Sequence, residues 1–194
     1  MTVLFIHGLA SSGAFKTAAT LKNLLRPCEV ISPDMPIDPS EAMALLEKIC
    51  LEADPDLVVG HSMGGFLAQK LRGRKKILIN PDFHISRLMR TMKGEVKYLS
   101  PRRDGSESFM LTEEICKGYE ALEQSQFEGL DCFEKSITLA MFADHDEMVD
   151  CFDEYNAVYG NGVRYPGGHL PTFPEVKEYL LPLALKLLAS GDNI

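Results

Sequence analysis

Ser62 stands in Gly60-His61-Ser62-Met63-Gly64-Gly65, directly after the apolar run Leu57-Val58-Val59 and before a helical pattern carrying Leu67, Ala68 and Leu71. A Gly-x-Ser-x-Gly sequence between strand and helix turns the chain so sharply that the serine is strained and its hydroxyl stands exposed beyond the strand. Gly60 and Gly64 permit the close backbone approach that side chains would block. The bland reading is a surface turn; a phosphate-cradling loop is another, but the Lys-Ser/Thr ending is absent. A serine hydroxyl is a weak nucleophile at neutral pH, so the chemical reading requires a base. Among five histidines, His61 adjoins Ser62 and points elsewhere, His7 ends the first apolar run, His84 lies in the stretch 82–135 that reads as an inserted cap, and His145 sits among acids. His169, in Pro166-Gly167-Gly168-His169, follows the last short apolar run and precedes the final helical pattern. There it is expected to serve as the base, against the alternative of a surface histidine beside two flexible glycines. Its ring needs an acidic partner to fix the tautomer, and Ala143-Asp144-His145-Asp146-Glu147-Met148-Val149 offers both Asp144 and Asp146. Residue types alone do not separate the two. A metal site at Asp144, His145 and Asp146 has no further ligand cluster to support it, so no metal is expected.

For these groups to meet, the chain must bring loop ends to one edge. Short apolar runs at Val3–Ile6, Glu29–Ile31, Asp56–Val59, Ile77–Ile79, Ile137–Phe142 and Gly162–Tyr165 alternate with stretches of helical period. Asp38-Pro39-Ser40-Glu41 announces one helix by its capping pattern, and Ala42, Leu45, Leu46, Ile49 and Ala53 continue it as a core-facing stripe. Thr172-Phe173-Pro174-Glu175 opens the last helix, which Pro182 should kink or divide. Alternating strands and helices predict an α/β fold: a doubly wound, mostly parallel sheet of about six strands. In such sheets ligands bind beyond the carboxyl ends of the strands, which is where Ser62 and His169 fall.

Residues 82–135 break the rhythm. They show no convincing strand, two helical patterns (Ile85, Leu88, Met89, Met92; Leu111, Ile115, Tyr119, Leu122) and the loop Ser100–Ser106 between them. The expectation is one domain over residues 1–194 with a helical cap inserted at about 82–135. Residues 84–103 hold six basic side chains against Glu95, a net of +5 that is either a solvated face or a steering patch for anionic substrates. Met89, Met92 and Met110 are candidates to line an adaptable acyl pocket, with plain core packing as the alternative.

Composition sets the outer bounds. The 194 residues are 45% hydrophobic and carry a net charge of −8, so no basic footprint for nucleic acid exists. The apolar stretch Tyr179–Ala189 is interrupted by Lys186 and too short to cross a bilayer, and Met1–Ala10 lacks the cationic start of a secretory signal. Five widely spaced cysteines form no Cys-x-x-Cys pair, which disfavours a disulfide scaffold and predicts a cytoplasmic protein. No membrane partner is expected, and the oligomeric state stays open.

His7-Gly8 after the first run, the Gly60–Gly64 turn, Asp-x-x-Val after a later run, Gly-Gly-His near the end and the order Ser, Asp, His together resemble an α/β-hydrolase. The short length, His7-Gly8-Leu9-Ala10-Ser11-Ser12, Leu78-Ile79-Asn80-Pro81 and Asp146–Asp150 are more narrowly similar to the small bacterial YqiA/YcfP-type esterases. The superfamily likeness spans nearly the whole chain, whereas the narrower one rests on short pieces and does not extend to the cap. It implies a reduced α/β-hydrolase fold, no cofactor, and hydrolysis of an ester or thioester small molecule through Ser62, His169 and Asp146, with Asp144 as runner-up acid. It also implies an oxyanion hole of the Leu9 and Met63 backbone N–H groups. The Met63 amide independently opens a helix whose dipole favours an anion. A relative that keeps the fold and binds without turnover is the competing expectation.

Overall fold

The computed structural model describes residues 1–189. Six strands form one sheet: β1 (Thr2–Ile6), β2 (Glu29–Ile31), β3 (Leu57–His61), β4 (Lys76–Ile79), β7 (Thr138–Ala143) and β8 (Gly162–Tyr165). Their order is β2-β1-β3-β4-β7-β8, and every pairing is parallel. Alternation along each strand sends successive side chains to opposite faces. Leu4, Ile6, Val58, Leu78 and Ala140 join one apolar cluster, whereas Val3, Phe5, Val59, Ile77 and Met141 join the other. Helices cover both. On the first face lie α2 (Pro39–Ala53), α3 (Met63–Lys70), α5 (Glu113–Gln124) and α7 (Phe152–Val158). On the second lie α1 (Lys16–Leu24) and the C-terminal helix.

The caps follow the local chemistry. The Asp38 carboxylate accepts the Ser40 and Glu41 N–H groups at 2.8 and 3.1 Å, and Pro39 occupies the first turn of α2, where it loses no intrahelical bond. The C-terminal helix begins as α8 (Phe173–Glu175), with Glu175 accepting from the Thr172 N–H and hydroxyl. It then widens into a π turn at Val176–Leu180 before α9 (Leu181–Ala189). Pro182 therefore sits just beyond an irregular turn, because its missing N–H cannot serve the α pattern.

The insertion differs from the all-helical cap that its sequence suggests. Helices α4 (Ile85–Thr91), α5 and α6 (Cys132–Ser136) are present, but β5 (Gly94–Lys97) and β6 (Ser108–Leu111) pair antiparallel as a hairpin. Inward apolar positions are few: Val96 in β5, with Tyr98 just past its end, and Phe109 and Leu111 in β6. Glu95, Lys97 and Met110 face outward. One or two apolar residues per strand are too few to register as a period-two pattern. The hairpin is tied to the sheet's loops by Leu99 N–H to Ala10 O at 2.7 Å, Ser100 to Ser12 at 2.9 Å and Arg103 N–H to Asp34 at 2.7 Å. Part of the basic run is neutralised locally. Arg90 pairs with Glu120 at 2.6 Å and Lys93 with Glu113 at 2.9 Å, so both carry their charge against α5 instead of presenting a positive face.

Candidate active site

Ser62 lies between β3 and α3 with φ +56° and ψ −121°, a strained combination for a residue with a side chain. The surrounding glycines explain how the chain accommodates it. A Cβ on Gly60 would strike the Gly64 carbonyl, and one on Gly64 would strike the Ile6 carbonyl, so β1, β3 and α3 meet at van der Waals range only because both side chains are missing. The Ser62 hydroxyl makes no hydrogen bond with protein among the described residues, and the residue lines a cavity of about 200 Å³. His169 lines the same cavity. Bonds between a hydroxyl and its base commonly tighten only when substrate is seated.

The His169 ring is held at its other nitrogen. Nδ1 lies 2.7 Å from Asp146 Oδ2, which requires the proton on Nδ1 and leaves Nε2 as an acceptor. The remaining Asp146 oxygen, Oδ1, accepts the Met148 and Val149 N–H groups at 2.9 Å each. Burial pushes the Asp146 carboxyl upward, but the His169 bond and the two amides outweigh it and hold the group below the usual carboxylate range. Asp144 points away, with one oxygen 3.9 Å from Arg164 Nε and nearly half its side chain exposed.

Two further histidines are fixed as neutral rings. His7 donates from Nδ1 to the Gly8 carbonyl at 2.8 Å and accepts the Met35 N–H at Nε2 at 2.9 Å. His61 donates from Nε2 to the His169 carbonyl at 2.7 Å and tilts against the His169 ring with centroids 4.9 Å apart. Burial drives each pKa down to about 4. The Leu9 and Met63 N–H groups meet no protein acceptor among the described residues. Leu9 lines the cavity and Met63 opens α3, so both are free donors beside the Ser62 turn.

The cavity wall is predominantly apolar: Phe15, Leu88, Met92, Val96, Met148 and Leu170 supply much of it. Of the three methionines offered as pocket candidates against plain core packing, Met92 lines the cavity. Met89 does not, because its side of α4 faces the core and the residue is fully buried there. Met110 does not either, because β6 turns it outward to 59% exposure. Sequence reasoning passed over Asn80 and His61, which bind the backbone of the His169 loop; Phe15, Leu88, Val96, Met148 and Leu170 were also missed as wall residues. A polar residue directly ending a buried strand, as Asn80 does after Leu78-Ile79, was the available signal for the first. No cluster of three metal-ligating side chains occurs among the described residues.

Such a site could pass a proton from hydroxyl to imidazole and stabilise an oxyanion in a low-polarity hollow. A parallel six-stranded sheet with a strained serine between strand and helix defines an α/β-hydrolase-fold protein. Solved structures agree on that fold. Est1E from Butyrivibrio proteoclasticus superposes with a TM-score of 0.68 at 15% identity, covering 97% of this chain and 88% of its own. A structure from the work on LipS and LipT, two metagenome-derived lipolytic enzymes, gives 0.68 at 16% identity, with 96% and 92% covered. The thioesterase domain from the curacin biosynthetic pathway gives 0.57 at 17%, with 96% and 90% covered. Residues 2–164 match UPF0227, described as an uncharacterised protein family, and the chain belongs to that family, whose members are the YcfP/YqiA-like proteins.

Proposed function

We propose that the protein is a serine hydrolase cleaving carboxylic esters or thioesters of small or acyl-chain substrates. The observation that carries this reading is the 2.7 Å bond from His169 Nδ1 to Asp146, with the ring and Ser62 lining one apolar cavity. Ser62 Oγ attacks the acyl carbonyl carbon while His169 Nε2 takes its proton. The carbonyl oxygen becomes an oxyanion held by the Leu9 and Met63 amides, each such donor being worth roughly 10²–10³ in rate. Collapse expels the alcohol or thiol, which receives the proton from His169, and leaves an acyl-serine. Water then attacks that ester, gives a proton to His169, and the second collapse returns it to Ser62 as the carboxylic acid departs. These steps draw on no metal or cofactor.

The cavity bounds the acyl group. Its volume of about 200 Å³ and its mostly apolar wall suit a small acyl group. Short acyl groups would lodge against Phe15, Leu88, Met92 and Val96, and longer ones would project past Leu99 and Leu170 at the exposed rim. Five free cysteines suit a reducing compartment, and we place the protein in the cytoplasm as one domain spanning the chain. Among the described residues no helix is long and apolar enough to cross a membrane.

The test is hydrolysis of activated esters and thioesters of graded chain length by wild type and Ser62→Ala, with fluorophosphonate labelling of both. Labelling of wild type at Ser62 and its loss in the variant are expected. A folded wild type that neither labels nor hydrolyses any member of the series would favour a non-catalytic binding protein.

A further inference from the structure

Everything in the mechanism above depends on His169 standing still, yet its loop is Pro166-Gly167-Gly168-His169, where two glycines give the backbone wide freedom. Something must remove that freedom. We propose that Asn80 is the positioning residue for His169: its single side-chain amide holds both peptide planes flanking that residue and, at its other end, the strand that leads to Asp146.

Asn80 directly follows β4 and is 1% exposed. Its Nδ2 donates to the His169 carbonyl at 2.9 Å and to the Tyr165 hydroxyl at 2.9 Å, with a longer approach of 3.4 Å to the Gly168 carbonyl. Tyr165 in turn donates its hydroxyl hydrogen to that Gly168 carbonyl at 3.2 Å. The Gly168 carbonyl belongs to the peptide plane before His169, and the His169 carbonyl belongs to the plane after it. Pinning both planes restricts the two soft dihedrals between them, and so the direction in which the imidazole leaves the backbone. His61 adds a second bond to the His169 carbonyl, so that oxygen is held from two sides.

The opposite end of the amide completes the arrangement. Asn80 Oδ1 accepts the Ala143 N–H at 2.8 Å at the end of β7, three residues before Asp146, while the Asn80 N–H bonds Met141 at 2.9 Å. The acceptor role of Oδ1 toward an N–H also settles which end of the amide is which. The strand before Asn80 supports the nucleophile, since the Ser62 N–H bonds the Ile79 carbonyl at 2.9 Å. One amide thus joins the loop of the base to the strand of the acid, beside the turn of the nucleophile. Asn80 itself does not line the cavity, so it acts through His169 rather than on substrate. Its backbone sits at φ +43°, a left-handed conformation that asparagine tolerates better than most residues.

This inference rests on the hydrolase reading, and its test separates the two. Asn80→Gly removes the amide while accepting the left-handed backbone. Asn80→Asp keeps the shape and the Ala143 acceptor but loses the donor. Tyr165→Phe removes only the hydroxyl link. Leu180→Ala, in the apolar core of the opposite face, controls for a general loss of stability. With an activated ester, kcat should fall by about 10²-fold in both Asn80 variants with KM within about twofold, and by less in Tyr165→Phe, since a misplacement of about 1 Å is enough for such a loss. Leu180→Ala should lower Tm and leave kcat per folded molecule intact. The far-downfield proton resonance of His169 Nδ1, assigned by its disappearance in Asp146→Asn, should broaden or vanish in Asn80→Gly and persist in Leu180→Ala. Wild-type kcat with an unchanged resonance in Asn80→Gly, or a loss matched by Leu180→Ala, overturns the proposal. If the glycine variant does not fold, Asn80→Asp and Tyr165→Phe are read by the same measures. Hydrolysis that persists undiminished in Ser62→Ala sinks the hydrolase reading instead, whereas Ser62-dependent turnover indifferent to Asn80 sinks only this inference.

Discussion

The two ends of the sheet bury polar side chains in different ways. At the amino end of β4, Lys76 is fully buried; its ammonium meets Glu134 at 3.0 Å and also the Leu71 carbonyl. Glu134 uses its other oxygen on the Gly73 N–H. Burial pulls the Lys76 pKa down and the carboxylate opposes it. Each charge there is consumed by a protein partner. At the carboxyl end, Asp146 and His7 are equally saturated and His61 spends its Nε2 on the His169 carbonyl, but Ser62, the far side of the His169 ring and the Leu9 and Met63 amides keep free valences at or beside the Ser62 turn. Saturated polar groups add rigidity. Unspent ones, held by saturated neighbours, are what a reaction can use.

The sharpest way to break this contrast is to remove a free valence. Ser62→Ala should lower ester turnover by about 10⁶-fold while the melting curve stays near wild type, and its strained φ gives no reason for collapse because alanine is no bulkier. Steady-state kinetics beside thermal denaturation reads both. Next comes Asp146→Asn, expected to cost about 10⁴-fold in kcat, since the amide would favour the wrong His169 tautomer. Asp144→Asn, at an exposed site near Arg164, should stay within a few-fold, and the reverse ranking would move the acid to Asp144.

At the other end the effects should exchange columns. Glu134→Gln leaves a buried ammonium unpaired and should cost about 3–5 kcal/mol of stability with kcat per folded molecule unchanged, as urea titration and assay at low temperature would show. The neutral histidines sharpen the comparison by pH. With folded pKa values of about 4 against 6.5 unfolded, His7 and His61 leave the unfolded chain binding more protons between those limits. Stability from these rings is therefore full above pH 6.5 and is lost as pH falls toward 4, by on the order of 3 kcal/mol apiece. The depressed Asp146 adds a further loss only below the ordinary carboxylate range. Melting temperatures from pH 7 to 4 should show that slope, and His61→Gln should flatten part of it while its amide still reaches the His169 carbonyl. The smallest change concerns the wall. Met92→Ala should move the preferred acyl length upward by about one or two carbons, read from kcat/KM across a chain-length series, whereas Met110→Ala, outside the cavity, should move nothing.

Much of the frame was legible in the residues because strands and helices advertise themselves over short range. Val3–Ile6 and Ile77–Ile79 read as buried strands, Asp38 as a cap, and Gly60 and Gly64 as a turn no side chain could share. The hairpin at 94–111 escaped because four-residue strands with two inward positions leave almost no periodic signal. Met89 in α4 and Met92 at its C-terminal cap lie three apart and look alike as text, yet only Met92, at the edge of the core, also meets the cavity.

The chain alone determined a parallel α/β sheet, the position of Ser62 on its turn and the placement of His169 in the last loop, since local sterics and hydrophobic period suffice for these. Only the tertiary structure decided that Asp146 rather than Asp144 faces the ring, that His61 turns its ring under the His169 carbonyl, and that Asn80 binds two loops at once. Those choices are made by hydrogen bonds between residues tens of positions apart. For Asp146 a local feature helps, since the Met148 and Val149 amides two and three residues on occupy one oxygen and leave the other for His169, but the arrival of that ring from 23 positions away is a matter of the tertiary fold.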